Sequence, residues 1–217
     1  MTKNNIQFAI LATDVVLFTY QNEKLKVCLL NIDNDHFKKM KALPGGLILP
    51  NETAEDSVAR HMKDKAGIEI KNTYIEQLYS FSKISRDPRG RVVAVAYLAL
   101  IPSEKVEYKE GVEWIEVNKI PKLAYDHSEI VKTAIERLKS KIKYTNIAYS
   151  ILPKSFRLTE MQNVYESILG KKLDKRNFRK KVLESGLLEE TGKKEVEGAH
   201  RPAMLYRFKN REVVFMD

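Results

Sequence analysis

The chain has 217 residues, 43% of them hydrophobic and 31% charged, which supplies packed cores and excludes a disordered polymer. Its single cysteine, Cys28, excludes an internal disulfide and a cysteine-rich zinc site, and fits a reducing cytoplasm. The formal charge of +9 is uneven: of 38 basic and 29 acidic residues, positions 141–217 hold 17 and 10, leaving 21 and 19 for the first 140, so the basic excess sits in the last third and suggests a polyanionic partner there.

Residues 10–20 and 25–31 are β-rich runs around the polar turn Gln21-Asn22-Glu23-Lys24, and they predict a hairpin. The apolar stretch 8–20 is too short to span a bilayer and is interrupted by Asp14. It also lacks the basic start and small-residue cleavage site of a signal peptide, so it reads as a strand, with no membrane partner expected. Pro44-Gly45-Gly46 breaks the chain before Leu47-Ile48-Leu49. A helix should run from an N-cap at Thr53 to Gly67, with Glu55 and Asp56 favouring its first turn. Strands are predicted over 74–84 and 92–101, joined by residues 85–91, then a short strand over 114–117 and an amphipathic helix over 127–139. This order gives an α+β fold, a sheet flanked by helices in an α/β/α sandwich.

The pattern changes near residue 142, so the expected domains are 1–142 and 143–217. Residues 147–152 form a short helix candidate ended by Pro153. A second helix is expected over 158–169, with Thr159 as N-cap and Gly170 closing it, and a third over 175–185 behind Asp174. Strands over 186–190 and 203–208 follow, across a polar turn. Three helices and a β-hairpin in this order suggest a winged helix-turn-helix.

Residues 46–68, GLILPNETAEDSVARHMKDKAGI, resemble the Nudix box, G-x5-E-x7-R-E-U-x-E-E-x-G-U, with U a bulky aliphatic residue. Gly46, Glu52, Arg60, Met62, Gly67 and Ile68 fall at the family's spacing. In that family a Glu after the Arg and a later Glu-Glu pair share one helix face and hold Mg²⁺, which prefers oxygen ligands. Here those positions are His61, Asp64 and Lys65. One carboxylate survives, and Lys65 puts a positive charge where a metal would sit. The resemblance therefore implies a Nudix-like domain that keeps its bracing pair, Glu52 and Arg60, but loses its chemistry. No catalytic residue, metal or cofactor is expected.

Residues 85–98, SRDPRGRVVAVAYL, look like the loop and strand of Nudix proteins of the ADP-ribose pyrophosphatase type and of regulators derived from them. Arg86, Arg89 and Arg91 carry forked donors suited to phosphates or sugar hydroxyls, and Asp87 can accept from a hydroxyl or orient an arginine. A basic loop tip in solvent is the plainer reading. Residues 123–127, Leu-Ala-Tyr-Asp-His, also resemble a segment of these proteins.

Residues 171–181, KKLDKRNFRKK, have seven basic side chains in eleven. On a helix, Phe178 and Val182 face inward, while Arg176, Asn177 and Lys180 face largely outward, with Lys175 beside them and Arg179 at the flank. These supply donors to bases and phosphates; Lys193, Lys194 and Arg201 of the hairpin are further candidates. A solvated charged face is the competing reading.

The whole chain, and residues 152–181 in particular, resembles the Nudix-related transcriptional regulator family, whose members join a usually inactive Nudix-like domain to a winged helix and bind operators as homodimers. The resemblance implies a double-stranded DNA operator, a homodimer, and an effector such as ADP-ribose or a pentose such as arabinose. Two other readings are a Mg²⁺-dependent ADP-ribose or nucleotide-sugar pyrophosphatase with an accessory basic domain, and an RNA-associated Nudix relative.

Overall fold

Strands β1 (Ile10–Gln21) and β2 (Lys24–Ile32) flank a tip at which Asn22 and Glu23 have φ of 53° and 59°. Two successive left-handed residues let a tight turn follow the twist of its strands. The computed structural model describes residues 8–71, 73–195 and 202–216. Strands β3 (Met40–Ala42), β4 (Gly45–Leu47), β5 (Tyr74–Phe81), β6 (Val92–Ile101) and β7 (Val112–Glu116) complete a seven-stranded sheet of order β3-β2-β1-β6-β5; β4 pairs with β1 and β7 with β2. Strand β1 is buried continuously from Ala12 to Thr19 and β6 from Ala96 to Ile101. Such runs mark strands covered on both faces. Cys28 lies in this core, where burial pushes its thiol pKa up to about 12.

The expected strand over 74–84 stops at Phe81, leaving Ile84 83% exposed, because the chain must leave the sheet to carry Arg86 inward. The box helix is also modified. Helix α1 (Ala54–His61) starts as expected at Thr53, in a reciprocal capping box with Asp56. It then widens into a π turn over Met62–Ala66, which Gly67 ends at φ 74°. Helix α2 (His127–Lys141) buries Ile130, Val131, Ala134 and Leu138.

The described residues divide into two compact units. One takes those up to Leu17, Val27–Ala99 and Glu107–Ala134; the other takes Phe18–Lys26, Leu100–Val106 and those from Ile135 onward. In the second unit the expected helix at 147–152 is a single 3₁₀ turn, Ile147–Ser150. Ser150 Oγ donates back to the Ile147 carbonyl at 2.6 Å, and Pro153 forbids continuation. Strand β8 (Phe156–Arg157) leads into helix α3 (Leu158–Leu169). The N-cap is Arg157 and not Thr159: the third helical residue, Glu160, accepts the Arg157 N–H at 2.6 Å, so the cap lies two residues before the threonine. Gly170 closes it at φ 71°. Helix α4 (Lys175–Glu184) begins at Asp174, whose carboxylate accepts the Asn177 N–H at 2.8 Å. Strands β9 (Leu188–Glu195) and β10 (Ala203–Phe208) form a sheet of order β8-β10-β9, the wing. Among the described residues no helix is long and apolar enough to cross a membrane.

One carboxylate sets the turn between α3 and α4. Glu166 accepts from Gln162 Nε2 and the Leu173 N–H, each at 3.0 Å, and from Lys172 Nζ at 2.6 Å. Gln162 also donates to the Leu173 carbonyl at 3.0 Å. The Tyr165 and Phe178 rings meet edge to face at 5.1 Å below. Lys172 and then the Leu173 N–H hold the Glu166 carboxyl at a pKa of about 2. A depressed folded-state pKa adds stability that is complete above the unfolded value and lost as pH falls through the folded one. Glu166→Gln should therefore lower Tm by about 3–6 °C at neutral pH. The gap to the native chain should narrow as pH falls from about 4.3 toward the folded value of about 2, measured by thermal melts across pH.

Candidate functional site

Asp14 interrupts the apolar run of β1 and is 5% exposed. A carboxylate at that depth needs a partner. Arg86 supplies it: Nη2 donates to Asp14 at 2.9 Å, while Nε and Nη2 fork onto Asp126 at 2.9 and 2.8 Å. His127 adds a third contact. Its Nδ1 accepts the Leu43 N–H at 2.9 Å, and its Nε2 faces Asp14 Oδ1 at 3.5 Å. Burial alone would raise the Asp14 pKa, but His127 and Arg86 outweigh it and hold it below the ordinary carboxylate value. Gly45 is required beside this group, since a Cβ there would lie 2.2 Å from Asp14 Oδ1 and 2.5 Å from the Thr13 carbonyl.

Two cavities meet at Arg86 and Tyr125. One, of about 150 Å³, is lined by Asp14, Gly45, Lys65, Arg89 and His127 among others; the second, of about 350 Å³, by Phe37, Lys83, Ser85 and Asp126 among others. The second volume falls at the lower end of small-molecule sites and the first below it. Tyr125 is half-buried at φ 53°, a conformation disfavoured for a residue with a side chain. Its ring lies 4.4 Å from that of Phe37 and 5.1 Å from that of His127, and the Arg89 guanidinium sits 5.5 Å from its centre.

The four residues expected around the ligand take different places. Arg86 lines both cavities, but its guanidinium is committed to two internal carboxylates. The Asp87 side chain is 2% exposed and holds Arg89 through Nε at 2.9 Å and Nη2 at 2.7 Å, leaving the Arg89 side chain 53% exposed over the first cavity. Arg91 lies off both cavities and donates to the Ser82 carbonyl at 2.9 Å. Asp14, Lys65, Tyr125, Asp126 and His127 were not in the expected set. The available signals were a lone acid inside an apolar strand and the family-like run at 123–127.

The box keeps its brace. Arg60 donates to Glu52 through Nε at 2.5 Å and Nη2 at 2.8 Å, and to the Leu47 carbonyl at 3.1 Å; Glu52 also accepts the Leu49 N–H at 3.0 Å. The Arg60 bond, with help from the Leu49 N–H, holds the Glu52 pKa at about 2 against the opposing effect of desolvation. The residues at the metal positions do not fit a divalent cation. Lys65 Nζ donates to the Gly45 carbonyl, an oxygen facing the first cavity. His61 is 3% exposed; burial, then the charges of Lys65 and Arg60, push its pKa down and keep it neutral, and among the described residues its Nε2 has no hydrogen-bond partner. A Cβ on Gly46 would lie 2.9 Å from His61 Cε1, so these groups fill the space.

In α4, Phe178 and Val182 are buried, as their spacing predicts, and Leu183, which fits no inward stripe, is 48% exposed. Lys175, Arg176, Asn177 and Lys180 are exposed. Arg179 is half-buried and turns back onto α3, with Nη2 3.4 Å from Thr159 Oγ1. Lys193 and Lys194 are exposed on β9; Arg201 lies outside the described residues.

Comparison with known proteins agrees with both halves. The NUDIX domain family matches residues 10–134, and the NrtR DNA-binding winged helix domain family matches residues 148–208. The chain is similar to the ADPR responsive transcriptional repressor NtrR of Acinetobacter baylyi, 36% identical over 214 residues, covering 95% of this chain and 84% of that protein. Shewanella oneidensis NrtR, solved in complex with a 27mer DNA, is 36% identical and superposes with a TM-score of 0.80 over 92% of this chain and 93% of that one. The NUDIX domain of that protein, solved in complex with ADP ribose, is 34% identical, with a TM-score of 0.54 over 64% of this chain and 94% of that one.

Replacing Arg86 with Met should strand two buried carboxylates and cost about 3–5 kcal/mol of stability. Arg91→Ala, which removes a guanidinium that caps the exposed Ser82 and Lys83 carbonyls, should change stability by less than about 0.5 kcal/mol. Urea unfolding of both variants measures the contrast.

Proposed function

We propose, for a chain that belongs to the Nudix-related transcriptional regulator (NrtR) family, that it represses transcription by binding an operator and answers to an effector of the ADP-ribose type. The observation that carries this reading is the pairing, in one chain, of a Nudix box without a metal-binding face and a basic, outward-facing second helix in a helix-turn-helix. Residues 1–142 sense the effector and 143–217 bind DNA, as a homodimer on two half-sites. A regulator of this kind works in the cytoplasm.

The pocket chemistry favours a nucleoside diphosphate sugar over a free pentose. Arg89, held by Asp87, offers a fork for phosphate; Tyr125 and Phe37 offer aromatic faces for a base. Two joined cavities suit a ligand with two ends. Arg86 acts here as a positioning residue. The similar protein solved with ADP ribose and the relative described as ADPR responsive support the same choice. Hydrolysis is not assigned, because Asp64 is the one carboxylate at the three metal positions.

On DNA, Lys175, Arg176, Asn177 and Lys180 meet the major groove, while Arg179 sets the pitch of α4 against α3. Lys193, Lys194 and Arg201 are assigned to the wing contact. Gel shifts with fragments upstream of the gene and its neighbours test the reading, and no specific complex with or without ADP-ribose would overturn it. Lys180→Ala should weaken operator binding across sequences and reduce the slope of log K against log salt by about 1. Incubation with ADP-ribose and Mg²⁺ or Mn²⁺ should release product no faster than a blank.

A further inference from the structure

Three cations face the first cavity: Lys65, Arg86 and Arg89. Two are matched by hydrogen-bonded carboxylates, Arg86 by Asp14 and Asp126 and Arg89 by Asp87. Lys65 differs. Its ammonium is bonded to a neutral oxygen, the Gly45 carbonyl. An ammonium has three N–H donors, and this bond uses one. The residue as a whole is exposed and lines the first cavity, so an incoming anion can reach it there, although burial and the Asp14 charge both act on its ammonium.

Its place is fixed from several sides. The π turn over Met62–Ala66 carries Lys65 toward the glycines of β4, and a Cβ on Gly46 would lie 3.4 Å from its Nζ. Behind it, His61 is buried and neutral, and supplies no competing anion. We propose that Lys65 is a built-in cation of the effector site, replacing the divalent metal of Nudix chemistry, so that a diphosphate binds the pocket without a metal. A metal must be recruited and is lost to chelators, whereas a tethered ammonium is present whenever the chain is folded. The remaining Lys65 protons and the exposed edge of Arg89 would bind the diphosphate oxygens from one cavity wall. The same ammonium would repel a divalent ion from the Gly45 carbonyl, coupling effector binding to the loss of hydrolysis.

This inference rests on the effector reading above, and the test separates the two. Calorimetric titrations in EDTA compare the native chain, Lys65→Gln and Lys65→Arg, with ADP-ribose, inorganic pyrophosphate and adenosine as probes. Equal melting temperatures of the three free proteins establish that each is folded. The native chain should bind ADP-ribose in EDTA, with Mg²⁺ changing Kd by less than about twofold, while Lys65→Gln weakens ADP-ribose and pyrophosphate by at least about tenfold, the loss of one charge-assisted contact. Adenosine should bind both alike, and Lys65→Arg should keep most of the affinity. Lys65→Gln binding ADP-ribose as well as the native chain, or native binding that needs Mg²⁺, would overturn the role of Lys65 and leave the effector standing. Native binding of pyrophosphate but not of ADP-ribose, lost in Lys65→Gln, would support Lys65 and overturn the effector. Binding of neither would overturn both.

Discussion

The buried cluster of Arg86 with Asp14 and Asp126 is the constraint on which the pocket depends. Its side chains are 3%, 7% and 9% exposed, so removing any one strands charge in a poorly solvated place. The three residues come from a central strand, the loop before β6 and the loop before α2. Joining them fixes where β5 ends, how residues 82–91 return to the sheet, and how the chain enters α2. The strained backbone at Tyr125 is tolerated next to Asp126 for the same reason. Arg89, Tyr125 and Lys65 inherit their positions from that frame.

The second unit uses a similar device on a smaller scale. Glu166 gathers a backbone N–H, an amide and an ammonium at the turn between two helices, and so sets how α4 leaves α3. The hydrophobic contacts beneath, Tyr165 on Phe178 and Phe156 on Phe208, fill space without defining direction. Directional bonds at the turn and packing below it divide the work, which lets the exposed side of α4 carry almost nothing but charge. In both units buried carboxylates and the cation paired with them join segments that lie apart in the sequence.

Much of the fold was legible in the sequence because its signals are local. The turn Gln21–Lys24, the cap at Thr53, the glycine at 170 and the cap at Asp174 each follow from the chemistry of one or two residues. The errors were non-local. The strand over 74–84 was read too long because its early end is dictated by a carboxylate seventy residues upstream of Arg86. The N-cap of α3 was misplaced because β8 and Glu160 settle it, and the threonine was the more conspicuous candidate. The box helix was read as continuous because a π turn leaves no trace in residue pattern. The geometry of the candidate site was legible in outline: Arg86 and Arg89 of the arginine-rich loop line a cavity, Asp87 orients Arg89, and Glu52 pairs with Arg60. What the spacing could not say is which arginine faces the cavity, since burial decides that, and it sends Arg86 inward, Arg89 over the cavity and Arg91 away.

The most direct measurement of the account is fluorescence anisotropy of a labelled operator duplex titrated with the full chain, in EDTA, with and without saturating ADP-ribose. A sensor that couples pocket to DNA must shift the binding midpoint, by at least about tenfold for a coupling free energy of ordinary size. ADP-ribose that binds the chain yet leaves the operator midpoint unchanged would contradict the account.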